Sequence, residues 1–115
     1  MTRLRLLVTA AALATPALAR AEQDAAKLAA AAQAVLRKNC ARCHADGQAE
    51  GGFGFVLDAR QLVARKKVVP GDAAKSRLFK RVQSGEMPPE DEKPRPTPED
   101  VAAIKAWIDA GALNN

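Results

Sequence analysis

The sequence predicts a small all-α domain, and three observations carry that reading. An alanine-rich stretch near the start sets its apolar residues at helical spacing, a second near the end opens on a strong capping signal, and no segment shows the period-two alternation of a strand. At 115 residues the chain is long enough for one core and too short for two.

The first 21 residues read as a secretory leader. Arg3 and Arg5 form a basic start, Leu6 to about Ala17 an apolar run, and Ala17, Ala19 and Ala21 two overlapping small-x-small frames, so cleavage is expected after Ala19 or Ala21. The run falls short of the ~20 residues a membrane span needs, and Pro16 interrupts it. The expected location is therefore the periplasm, with membrane association only through a partner or an uncleaved leader.

Residues 22–115 then form the domain. EQDAAKLAAAAQAVLRKN (22–39) places Leu28, Ala31, Ala32, Val35 and Leu36 on one helical face, with acids near its start and Arg37 and Lys38 near its end, as the helix dipole favours. ADGQAEGGFG (45–54) has four glycines and no periodicity, which predicts a loop. A short helix is expected from Asp58 and a turn over Val68–Gly71. One helix through AAKSRLFKRVQS follows, capped by Asp72 and stopped by Gly85. Five prolines between Glu86 and Pro98 forbid regular structure there. Thr97 then caps a final helix that has Pro98 in its first turn, carries Val101, Ile104, Trp107 and Ile108, and ends before Gly111.

The apolar supply is thin. Of 55 hydrophobic residues 26 are alanine, and residues 22–115 hold only 20 large apolar side chains, so something besides side chains is needed to fill the centre. The core candidates are Leu36, Phe53, Phe55, Leu57, Val69, Leu78, Phe79, Val82, Ile104, Trp107 and Ile108. Charge narrows the function classes. The full chain is +5, but without the leader it is about +2, with 15 basic against 13 acidic groups, which weakens a nucleic-acid reading. The charges are lopsided: residues 60–81 hold eight basic groups and only Asp72 as an acid, whereas residues 86–109 hold seven acids. The basic segment 60–81 suggests docking to a redox partner protein with an acidic surface.

Cys40-Ala41-Arg42-Cys43-His44 contains the only two cysteines and the only histidine of the chain. C-x-x-C-H is the signature of covalent c-type haem attachment. Cysteines three apart on one helical face can each bond a porphyrin vinyl group, and the adjacent histidine then reaches the iron from one side. Zinc would need four ligands, usually including a second Cys or His pair, and the chain has none. A redox dithiol wants its first cysteine at a helix N-terminus, whereas this pair follows a helix. One bridge over two residues would close too short a loop to staple a fold. A single haem c also supplies the missing apolar interior.

Met87 is the only methionine beyond the leader. It lies in the stiff segment Gly85-Glu86-Met87-Pro88-Pro89, where a thioether could be aimed at the iron opposite the histidine and raise its potential. No nucleophile and base pair is evident, so the expectation is an electron-transfer protein rather than an enzyme. The alternative is a haem protein with an open or labile sixth site, acting as a ligand sensor or peroxidase.

The ordered set CARCH, GGFGFVLDAR, VVPGDAAKSRLFKRV, GEMPP and TPEDVAAIKAWIDAGA, from about Val35 to Ala112, resembles the planctomycete-type cytochrome c domain of the class I cytochrome c superfamily. The resemblance implies a class I cytochrome c fold, with N- and C-terminal helices packed together beside one covalently bound haem. It implies thioether bonds at Cys40 and Cys43, proximal His44 and distal Met87, hence a periplasmic monohaem carrier of single electrons. The match departs at GGFGFVLD. Domains of this kind are often attached to larger proteins, and this one is expected to stand alone or to serve as a subunit.

Overall fold

The computed structural model describes residues 15–44, 49 and 52–113. Positions 1–14 of the expected leader, and 45–48, 50 and 51 of the expected glycine loop, lie outside the described residues. The described residues form five α-helices and no strand: α1 (Pro16–Asn39), α2 (Ala41–His44), α3 (Ala59–Ala64), α4 (Arg77–Gln83) and α5 (Pro98–Asp109), with a 3-10 turn at Ala73–Lys75. The all-α class read from the sequence is the observed one.

Helix α1 starts six residues before the expected Glu22, because the alanine-rich composition continues upstream and local capping is available. Thr15 Oγ1 accepts the Leu18 N–H at 3.3 Å, and Pro16 takes the first-turn position where its missing N–H costs nothing. No residue of this helix is buried before Ala29, and Leu18 is 53% exposed. Among the described residues, positions 15–21 therefore add no buried side chain to the domain's packing. Protein truncated to begin at Glu22 is expected to melt within ~0.5 kcal/mol of the longer form, the usual range for exposed changes; thermal unfolding of the two checks it.

The turns of α1 from Ala29 onward pack against α5, the most extensive helix–helix contact in the fold. Ala29, Ala32, Val35 and Leu36 from one helix share a core with Ile104, Trp107 and Ile108 from the other. Small alanines on the facing surface let the two backbones approach closely. At the far end of α1, Lys38 Nζ reaches Asp100 Oδ2 at 3.2 Å, tying the end of one helix to the start of the other. Thr97 and Asp100 form a reciprocal capping box: the Asp100 N–H donates to Thr97 Oγ1 at 3.1 Å, and the Thr97 N–H donates to Asp100 Oδ2 at 3.0 Å.

The Thr97 N–H, and then Lys38, hold the Asp100 carboxyl below its ordinary value of 3.8. A carboxylate with a lowered folded-state pKa contributes stability that is present above the unfolded value and is lost as pH falls through the folded one. Asp100→Asn is accordingly expected to lower stability at neutral pH and to narrow the gap to wild type below about pH 3.8, as acid unfolding curves of the two would show.

The one helix expected after Asp72 is two. Asp72 does cap, accepting the Lys75 N–H at 3.2 Å, but only a 3-10 turn follows. Ser76 then turns extended and starts α4. The cause is local competition for the backbone by a buried hydroxyl: Ser76 Oγ accepts the Val69 N–H at 2.8 Å and donates to the Asp72 carbonyl at 2.9 Å. The same turn corrects one core assignment. Val69 is 37% exposed, and its neighbour Val68 is buried instead. Val56 and Leu62, which were not among the candidates, are completely buried. Phe53, Phe55 and Leu57 are partly buried and pack against the core rather than within it.

Candidate functional site

The site begins where α1 ends. Cys40 caps that helix, donating its N–H to Leu36 O at 2.9 Å, and its own carbonyl accepts the N–H groups of Cys43 (3.2 Å) and His44 (3.0 Å). This winds residues 41–44 into α2 and places Cys40, Cys43 and His44 along one wall. A second wall is the proline-rich segment after α4, which contributes Met87, Pro88 and Pro89. There Gly85 ends the helix with a positive φ of 83°, which glycine adopts without strain, and the Met87 N–H is fixed to Arg81 O at 3.1 Å.

Between the walls lie two adjoining cavities of about 230 and 280 Å³. Cys40, His44 and Met87 line both. The first is completed by Cys43, Pro88, Pro89 and the ion pair of Arg42 with Glu92 (3.4 Å), the second by Phe53, Val56, Leu78 and Val82. All four site residues read from the sequence thus meet around one space.

His44 is oriented by a contact invisible in the sequence. Its Nδ1 lies 2.7 Å from the Phe53 carbonyl oxygen. A carbonyl can only accept, so Nδ1 carries the hydrogen and Nε2 keeps its lone pair for a metal. The His44 carbonyl in turn accepts the Val56 N–H at 3.1 Å, and the Phe53 ring packs 4.7 Å from the imidazole, so the turn is held at both ends.

Burial pushes the Cys40 thiol up to about 11, only partly opposed by the nearby Arg42 charge. Such a sulfur is a neutral thiol at pH 7. Redox dithiols need the opposite, a depressed pKa, so the environment disfavours that chemistry.

Lys67, Arg77 and Arg81 complete the lining of the second cavity, and none has a carboxylate within ion-pair distance among the described residues. An apolar interior with three uncompensated cations suits a flat apolar group that carries carboxylates. The combined volume, on the order of 500 Å³, falls within the ~300–1,000 Å³ of ordinary cofactor sites. The residues present therefore fit a haem: thiols on one wall, an imidazole nitrogen and a thioether on a shared space, and cations beside it. In the sequence these three basic residues were indistinguishable from the rest of the charged stretch.

The described helices thus bring both cysteines, the histidine and the methionine to one largely apolar space. Residues 40–91 match the family model of the planctomycete cytochrome C, the family that the sequence resembles. The matched span takes in Cys40, Cys43, His44 and Met87 and stops before α5. No curated protein and no solved structure matches the chain.

Proposed function

We propose that this protein is a monohaem cytochrome c that passes single electrons between partner proteins in the periplasm. In this reading Cys40 and Cys43 hold the haem by thioether bonds, and His44 and Met87 are its axial ligands. The observation that carries it is the meeting of His44 and Met87 on the same cavity, which is where two axial ligands must face. Bound haem supplies the redox-active iron. The chain's residues do the rest. The Phe53 carbonyl fixes the imidazole tautomer, the 85–89 segment presents the thioether, and Phe53, Val56, Leu78 and Val82 keep water from the centre. A thioether opposite histidine favours the reduced metal and so a high potential.

Haem staining of a denaturing gel, followed by spectra of the oxidised and reduced protein, tests the proposal. The expected results are a stained band and the charge-transfer absorption of methionine bound to ferric haem. Absence of that absorption, with ready binding of carbon monoxide to the reduced protein, would replace the carrier by the open-site alternative.

The cations beside the cavity make a separate expectation. Removing a positive charge there stabilises the ferric state, so Arg77→Gln and Arg81→Gln are each expected to lower the midpoint potential. The shift should be roughly 10–40 mV, because both side chains reach solvent and are screened. Redox titration measures it. Arg60, Arg65, Lys66, Lys75 and Lys80 are exposed and do not line the cavity. They remain for steering toward an acidic partner, and electron-transfer rates that fall as salt is added are the expected signature.

A further inference from the structure

The segment that carries Met87 has almost no structure of its own to hold it. Pro88 and Pro89 have no N–H to offer, and residues 84–97 belong to no helix. One side chain takes over that role. Arg95 Nη1 donates to the carbonyls of Pro88 (3.1 Å) and Pro89 (2.6 Å), and its Nη2 donates to the carbonyl of Gly85 (3.2 Å). The two nitrogens thus grip the chain on both sides of Met87. Arg95 is half-buried and has no carboxylate partner among the described residues, so these three carbonyls are its recorded partners.

We propose that Arg95 is the positioning residue that keeps Met87 over the cavity and so keeps the sixth iron site closed. The inference rests on the reading of Met87 as a ligand. The Met87 N–H is fixed to α4, and the guanidinium fork holds carbonyls on either side of it. Without the fork, the carbonyls of Gly85 and Pro88 lose their partner, and the Met87 N–H and the buried Pro88 ring are left to hold the thioether in place. The fork is what matters rather than the charge, because only a planar guanidinium presents donors in two directions from a fixed plane. Arg95 is therefore what separates a closed electron carrier from an open haem protein in this chain.

The test compares the haem-loaded wild type with Arg95→Lys, Arg95→Gln and Met87→Ala. The readouts are the ferric methionine absorption, the rate of carbon monoxide binding to the reduced form, and the midpoint potential. Arg95→Lys keeps the charge, and Arg95→Gln keeps a planar donor. Either suffices for the test if the other fails to fold. Helix content by circular dichroism, expected to equal wild type, separates positioning from collapse. Losing two or three hydrogen bonds to a charged donor is expected to raise the open population and the carbon monoxide rate about tenfold or more, with a lower potential. Met87→Ala sets the fully open limit. If Met87→Ala loses the absorption while both Arg95 variants keep wild-type absorption and carbon monoxide rates, the positioning role is overturned and the ligation reading stands. If Met87→Ala retains the absorption, the ligation reading fails and takes this role with it.

Discussion

Exported protein carrying Cys40→Ala and Cys43→Ala is expected to show no haem stain on a denaturing gel, an intact mass equal to the bare processed polypeptide, and no cooperative thermal transition. The scale follows from the cavities. Empty apolar volume costs ~24 cal/mol per Å³, so a fully enclosed void on the order of 500 Å³ would cost ~12 kcal/mol, an upper bound for cavities that open partly to solvent. That equals the whole stability of an ordinary domain, ~5–15 kcal/mol. Water entering the cavity reduces the cost, but it also wets Val56, Leu78 and Val82 and weakens the core they belong to. Scanning calorimetry alongside mass spectrometry decides the matter. A haem-free double variant that melted like wild type would mean that the polypeptide alone fills its centre.

The second large effect is expected at Ile104, which is completely buried in the core that α1 and α5 share. Ile104→Ala should cost ~2–5 kcal/mol and Ile104→Val ~0.5–1.5 kcal/mol, the range for deleting buried methyl groups. Denaturant unfolding of the haem-loaded proteins measures both. A cost below ~1 kcal/mol for the alanine variant would show that the two-helix contact is not what secures the frame. By comparison, the Lys105–Asp109 pair at 2.7 Å on the exposed face of α5 should matter little, because such i,i+4 pairs contribute ~0.3–0.5 kcal/mol.

Where local chemistry decides a feature, the sequence exposed it. The Thr97 cap, the stop at Gly85, the short helix at Asp58 and the helix-forming alanine run are each determined within four residues, and each stands in the structure. The Cys40–His44 motif was equally plain, because its spacing is its mechanism. What stayed hidden depends on groups far apart in the chain or on the backbone. The Phe53 carbonyl that orients His44 leaves no trace in residue type, since any amino acid would supply one. Arg95 looked like another charge in a proline-rich linker until its targets, six to ten residues upstream, were brought to it. Ser76 broke an apparently continuous helix through a contact with Val69 across a turn. Lys67, Arg77 and Arg81 needed the cavity itself to separate them from their equally basic neighbours.

The acceptor that holds the His44 ring is an uncharged amide oxygen rather than a carboxylate. A carboxylate there would draw the Nδ1 proton, make the ring more nearly an imidazolate, and push electron density onto the metal, the condition that promotes cleavage of bound oxygen species. A peptide carbonyl exerts far less of that pull. Toward the haem iron of the proposed carrier, a ring held this way would be a mild donor, and reduction of the metal would be the easier for it.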